Sequence, residues 1–227
     1  MTLNLSEFFE EIGYSFQQDD LARLALTHSS TGKKQNNERL EFLGDAVLEL
    51  VSSRYLFFKF PDDSEGSLTK RRARLVCEPS LAWWARGHGL GRFIRLGKSE
   101  EFSGGREKDS ILSDMVESII GAVYLDSDFA TARQFTLSII EDIETAFQAN
   151  QIFYDAKSEL QELLQKNGAV DFKYEIYRAE GPPHNTTFYA RAILDGKILA
   201  SGAGRSKKLA EQAAAKAALV RLKKNKS

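Results

Sequence analysis

The stretch NERLEFLGDAVL, residues 37–48, is where the fold and chemistry of this chain become legible. Its apolar residues recur at helical spacing, and three acids, Glu38, Glu41 and Asp45, stand at i, i+3 and i+7. On an α-helix these positions fall within about 60° of one another. Leu40, Phe42, Leu43, Ala46, Val47 and Leu48 surround them, so the helix is expected to be mostly buried. The one nearby base, Arg39, points elsewhere on the helical wheel. Like charges on one apolar face repel and are costly to desolvate, which calls for a compensating positive charge. Glu49 falls near the same face and reads as a supporting or surface acid.

A second segment, ILSDMVESIIGAVYLD at 111–126, repeats the arrangement. Asp114 and Glu117 stand at i and i+3 among Ile111, Leu112, Val116, Ile119 and Ile120, with no Lys or Arg between residues 111 and 126. Two such helices packed together would offer oxygen ligands only, a donor set suited to Mg²⁺ or Mn²⁺. A cation of that kind lowers the pKa of bound water and stabilises charge on a phosphate under attack. His28, His88 and His184 share no local ligand pattern with these acids. The plainer reading, that the acids mark the wet sides of two amphipathic helices, suits any one of them better than all four together.

Around these segments, residues up to about 150 read as successive helices: 39–59, 68–77, 80–88, 110–125 and 130–149. Pro61, the glycines between 87 and 91 and the Gly104-Gly105 pair punctuate them. After a short junction at 150–155 the pattern changes. A helix at 156–167, with Leu160, Leu163 and Leu164 on its apolar side, precedes strand-like runs at 172–178, 187–194 and 197–202. Asp195-Gly196 joins the last two as a hairpin turn. An alanine-rich helix over 207–222, with Ser206 as its N-cap, closes the chain. Two domains are therefore expected, 1–150 and 155–225: an all-α domain, then an α+β domain of order α-β-β-β-α, its helices on one face of an antiparallel sheet.

The 227 residues carry a net charge of −1, and that balance hides two unlike halves. Residues 1–150 hold 17 Lys and Arg against 24 Asp and Glu, a net of −7, whereas residues 151–227 hold 14 against 8, a net of +6. Basic segments track phosphates, and surplus carboxylates in a core-forming domain are candidates for holding metal. The single cysteine, Cys77, excludes an intrachain disulfide and a cysteine-built zinc site. No apolar run approaches the roughly 18 residues of a membrane span, and the acidic start does not resemble a signal peptide. A cytoplasmic protein without membrane attachment is expected.

These residues resemble the ribonuclease III family. NERLEFLGDAVL is similar to that family's signature, and the likeness continues in order through ALTHSS, SEGSLTKRRARLVCE, LGKSEEFSGGREKDSIL and SDMVESIIGAVYLD. KSELQELLQ, EGPPHNTTF and GAGRSKKLAEQAAAKAAL resemble its double-stranded-RNA-binding domain, so nearly the whole chain is covered. The resemblance implies an all-helical endonuclease domain that forms a homodimer, with one active centre for each strand of duplex RNA. It implies that Glu41, Asp114 and Glu117 hold the metal, Mg²⁺ with Mn²⁺ able to substitute, and that Asp45 and Glu117 are catalytic. Glu38 and Glu65 match family acids near the cleft. Phe42 matches an aromatic that packs into the partner subunit, although an ordinary core Phe reads equally well. Expected products carry 5′-phosphate and 3′-hydroxyl ends, and expected roles are the processing of structured precursors such as ribosomal RNA, mRNA processing and RNA turnover. THSST lacks the aromatic often found after its His-x-Ser, and EKDS has an acid where a basic or neutral residue is usual. Both departures concern RNA contacts rather than the carboxylates, and His28 reads as structural.

In the second domain, Arg205, Ser206, Lys207 and Lys208 gather at a helix start. Lysines oppose the macrodipole there unless that end meets phosphate. Ser158, Gln161 and Gln165 share one polar face, suited to the 2′-hydroxyls and base edges of a shallow minor groove. His184, in the stiff loop 181–184, is a further candidate contact, with an ordinary exposed loop residue the even alternative. No stripe of exposed aromatics suggests a single-strand reader. Lys70, Arg71, Arg72 and Arg74 form the one basic island of the acidic half and are expected to pair mainly with its own acids. A non-cleaving double-stranded-RNA-binding protein is the alternative, and the intact carboxylate set weighs against it.

Overall fold

The computed structural model describes residues 4–149, 156–165, 168, 171–182 and 186–224, and the chain divides into two compact units, Met1–Ile152 and Phe153–Ser227. The first is helical: α1 (Leu5–Ile12), α2 (Asp19–Ala25), α3 (Glu38–Lys59), α4 (Glu65–Leu75), α5 (Glu78–Gly87), α6 (Lys98–Phe102), α7 (Asp109–Asp126) and α8 (Phe129–Gln148). Twelve of α7's eighteen residues are buried, which makes it the central helix; α2, α3, α5 and α8 pack around it. Its C-terminal Asp126 is buried and accepts hydrogen bonds from Tyr14 Oη (2.8 Å) and from the backbone N–H groups of Gln17 (2.8 Å) and Gln18 (2.9 Å). One carboxylate thereby fixes the approach to α2.

Helix starts follow capping chemistry. Ser64 Oγ accepts from Ser67 N–H, so α4 begins three residues before the position its periodicity suggests. Asp128 Oδ1 accepts from Thr131 N–H at 2.8 Å and opens α8. The tightest packing is between α3 and α7. A Cβ on Gly44 would lie 1.7 Å from the Glu117 carbonyl oxygen, and one on Gly121 would lie 2.2 Å from that of Leu40. The two backbones touch because neither crossing position has a side chain.

The expectation that α3 is mostly buried is corrected. Leu40, Val47, Leu48, Val51 and Leu56 face the core, but Phe42 is 81% exposed, and Leu50, Phe57 and Phe58 are also exposed. Phe42 is therefore not a core residue of the single chain. Periodicity identifies an apolar face; it does not say whether the same chain covers it.

The second unit runs α9 (Ala156–Gln165), β1 (Phe172–Glu180), β2 (Thr187–Leu194), β3 (Lys197–Gly204) and α10 (Lys207–Lys224). The sheet is antiparallel in the order β1-β2-β3, and Asp195 (φ 50°) and Gly196 (φ 75°) make the turn between its last two strands. Two positive φ values in a two-residue loop match the right-handed strand twist. Leu160, Leu164, Ala190, Ala192, Ala210, Ala214, Ala218 and Leu219 form the core. Small residues let α10 lie close on β3: a Cβ on Gly202 would sit 2.2 Å from Ala214 N. On the opposite face of the sheet, Tyr177 and Tyr189 have ring centroids 6.2 Å apart, with Arg191 over the first and Arg178 over the second. Sequence reading finds no aromatic patch there, because pairing across strands brings the two rings together.

Candidate active site

Asn37 ends the approach to α3 by binding backbone to backbone. Its N–H donates to Thr27 O at 2.9 Å, and its carbonyl accepts from the N–H groups of Leu40 and Glu41, each at 2.9 Å. One turn later, Glu41 projects from α3 toward α7, where Asp114 and Glu117 occupy successive turns. Carboxylate oxygens of Glu41, Asp114 and Glu117 all lie within 4.8 Å of one another. Among the described residues this is the one group of three or more acids, histidines or cysteines so arranged. All three are half-buried.

The electrostatics are those of like charges gathered in a partly desolvated place. Burial, then Asp45, Asp114, Glu41 and Glu49, push the Glu117 carboxyl up to about 8. Burial and the charges of Asp114, Glu38 and Asp45 raise Glu41, and burial raises Asp114 although His28 acts against it. Each of the four charges acting on Glu117 is negative. A divalent cation fits this set by donor chemistry, since three converging carboxylates are hard oxygen ligands.

The remaining acids arrange themselves around the three. Asp45 is exposed and lies outside the group, yet among the neighbouring charges it acts most strongly on Glu117. Glu38 is exposed at the start of α3 and accepts from Asn36 Nδ2 at 3.0 Å. Glu65 opens α4, is exposed, and accepts from Thr69 Oγ1 at 2.9 Å. Glu49 is held by Arg72 Nε at 2.9 Å, while Arg72 Nη1 donates to Ser53 Oγ at 2.9 Å. With the Arg71–Asp63 pair at 2.7 Å, two of the four basic residues of α4 bind acids of their own domain, as expected, while Arg74 lies over the Phe147 ring. His28 caps the 3₁₀ turn Ser29–Thr31, its Nδ1 accepting from Ser30 N–H at 3.2 Å. Gly44 and Gly121, whose missing side chains let the two acidic helices meet, escape a reading centred on acids. A lone glycine inside each helical pattern is the signal that marks them.

In the second unit, Ser158, Gln161 and Gln165 are exposed along one side of α9. Ser206 caps α10, with Leu209 N–H donating to its Oγ at 3.2 Å. Arg205, Lys207 and Lys208 are exposed around that helix start. His184 lies outside the described residues.

Comparison with known proteins agrees with this geometry. Residues 18–143 match the Ribonuclease-III-like family and residues 156–222 the double-stranded RNA binding motif. Ribonuclease 3 of Clostridium botulinum is 48% identical over 94% of this chain and 94% of its own length. That of Desulforamulus reducens is 47% identical over 93% and 88%. A crystal structure of the nuclease domain of Ribonuclease III from Campylobacter jejuni superposes with a TM-score of 0.60 at 49% identity, covering 63% of this chain and 96% of that one. Another structure of the same domain, described as flexible in a region involved in dimer formation, matches at a TM-score of 0.60 and 50% identity over 61% and 97%. No helix among the described residues is long and apolar enough to cross a membrane.

Proposed function

The chain belongs to the ribonuclease III family of endoribonucleases, with a nuclease domain and a double-stranded-RNA-binding domain, and from that premise we propose a metal-dependent hydrolysis of duplex RNA carried out by a homodimer. The observation that carries the reading is the meeting of Glu41, Asp114 and Glu117 within 4.8 Å on two touching helices. These three residues would hold Mg²⁺, with Mn²⁺ able to substitute. When bound, the cation supplies Lewis-acid stabilisation of the phosphate and a more acidic water. Glu117 would give up its proton to hold the ion, and Asp45, exposed beside the group, would orient the attacking water and take its proton. Water attacks phosphorus, the bond to the 3′ oxygen breaks, and that oxygen takes a proton from solvent water to leave as a hydroxyl. The products carry 5′-phosphate and 3′-hydroxyl ends. Glu38 and Glu65 shape the surrounding negative potential.

The second domain supplies affinity. Arg205, Lys207, Lys208 and the Ser206-capped start of α10 meet backbone phosphates. Ser158, Gln161 and Gln165, with His184, meet the minor groove. Dimerisation is supported by the exposed row of Phe42, Ala46, Leu50 and Phe57 on α3, positions within about 80° on the helix. An open groove of about 580 Å³ between α3 and α8, walled in part by Val51, Tyr55, Phe58 and Leu137, offers space for a partner's side chain. Structured precursors such as ribosomal RNA and messenger RNA in the cytoplasm are the proposed substrates.

The reading is tested by incubating the protein with a long RNA duplex and with its separated strands, in Mg²⁺ or in EDTA. Cutting of the duplex alone, in Mg²⁺ alone, with 5′-phosphorylated products is expected. Binding without cutting in either Mg²⁺ or Mn²⁺ would leave a non-cleaving RNA-binding protein.

A further inference from the structure

Phe102, a large apolar side chain, is 96% exposed. The loop that carries it is tied down on all sides. Arg106 grips Glu101 through two nitrogens (2.6 and 2.7 Å) and donates through Nη1 to the carbonyls of Gly91 (2.9 Å), Arg92 (3.1 Å) and Ile94 (2.9 Å). Lys108 pairs with Glu100 and donates to Ser103 Oγ at 2.9 Å, and Ser103 Oγ donates to Glu100 O at 3.0 Å. A Cβ on Gly105 would come within 2.8 Å of Glu100 O. The backbone that carries the phenyl ring is thus held in place before any ligand arrives, while the ring itself stands in solvent.

That scaffold packs against α7, which carries Asp114 and Glu117. Gly97 N–H donates to Ser30 Oγ at 2.9 Å, Ser30 Oγ lies 2.8 Å from His28 Nδ1, and the His28 imidazole acts on both Glu100 and Asp114. Lys108 ends the loop at the start of α7, and Asp114 follows five residues into that helix, about 8 Å along its axis. The loop's own cations Arg106 and Lys108 are bound to Glu101 and Glu100, which removes them as phosphate contacts. What faces solvent is the ring, with the exposed Lys98 one helical turn before it on the same side of α6. A cation and an aromatic ring one turn apart suit a nucleotide's phosphate and the face of its base. A regular duplex hides base faces; an unpaired or bulged nucleotide displays one.

We propose that Phe102 is a specificity-determining residue that stacks on an unstacked base of the RNA close to the cut, so that the enzyme favours duplexes with a helix irregularity there. This rests on the reading of the chain as a duplex-RNA nuclease. The test compares kcat/KM for a perfect RNA duplex with that for duplexes carrying one unpaired nucleotide at successive distances from the cut. At one distance the wild-type protein favours the bulged duplex. Phe102→Ala lowers that preference by roughly 5- to 150-fold, the range that follows from losing one base–aromatic stack, and leaves the perfect duplex unchanged; Phe102→Tyr retains the preference. No preference in the wild type at any distance, or equal effects of Phe102→Ala on all duplexes, overturns the proposal. Failure of the wild type to cut any duplex in Mg²⁺ or Mn²⁺ instead defeats the nuclease reading beneath it.

Discussion

Glu117 carries a proton near neutral pH in the metal-free fold, because its carboxyl is pushed up to about 8 by burial and by Asp45, Asp114, Glu41 and Glu49. A cation must displace that proton. Metal affinity should therefore rise about tenfold per pH unit between roughly pH 6 and 8 and level off above, with close to one proton released per ion near pH 7. Calorimetry in two buffers of different ionisation enthalpy measures both. The same residue sets a stability trend without metal. Its carboxyl titrates higher in the folded state than the ordinary 4.5, so the folded state binds the extra proton between about 4.5 and 8. Its contribution is fully present below about 4.5 and is lost as pH rises toward 8. Denaturant titrations in EDTA across that window should show the decline, and added Mg²⁺ should diminish it. At this scale the site was largely readable: spacing places Glu41 one turn from Asp45, and Asp114 one turn from Glu117. Spacing alone grouped Asp45 with the other acids, and only the family resemblance left it out of the three that would hold metal, because a few tenths of a turn separate a ligand from a neighbour.

Among elements, the crossing of α3 and α7 governs whether those acids meet. Gly44→Ala places a methyl 1.7 Å from the Glu117 carbonyl oxygen, backbone that cannot rotate aside. Overpacking at such a contact should cost about 3 kcal/mol and separate Glu41 from Glu117. Loss of metal binding beyond the loss of stability, seen by calorimetry on the folded fraction, is the expected outcome. The crossing was only half legible from sequence: each glycine is visible, but its partner helix is not. Short α1 and α2 offer too few turns for periodicity to delimit, and α4 starts where Ser64 caps it rather than where apolar residues begin. The hairpin at Asp195-Gly196 and the cap at Ser206 were legible because each depends on local chemistry. At the start of α10, replacing Lys207 and Lys208 by Ala should reduce the slope of log affinity against log salt by roughly 1 per lysine. Duplex-binding titrations at several salt concentrations measure it.

For the whole molecule, division of labour follows from charge: a nuclease half of net −7 joined to a half of net +6. The acidic half repels RNA at long range and relies on cations and on its neighbour for approach. Its exposed apolar α3 face is the surface on which the proposed homodimer rests. Phe42→Asp, a charge in place of a side chain 81% exposed in the single chain, should leave the fold intact and convert dimer to monomer in sedimentation experiments. Spacing alone did not separate the two readings of Phe42, since an apolar position on a helix reads the same whether its own core or a partner covers it; only the family resemblance offered the partner-facing one. The most direct measurement follows binding and cutting of one labelled RNA duplex by the wild type and by Glu117→Ala, side by side in Mg²⁺. The expected variant binds the duplex within a fewfold of wild type and does not cut it, whereas the wild type cuts. Cleavage by Glu117→Ala at the wild-type rate would contradict the assignment of the three-carboxylate group as the centre of the chemistry.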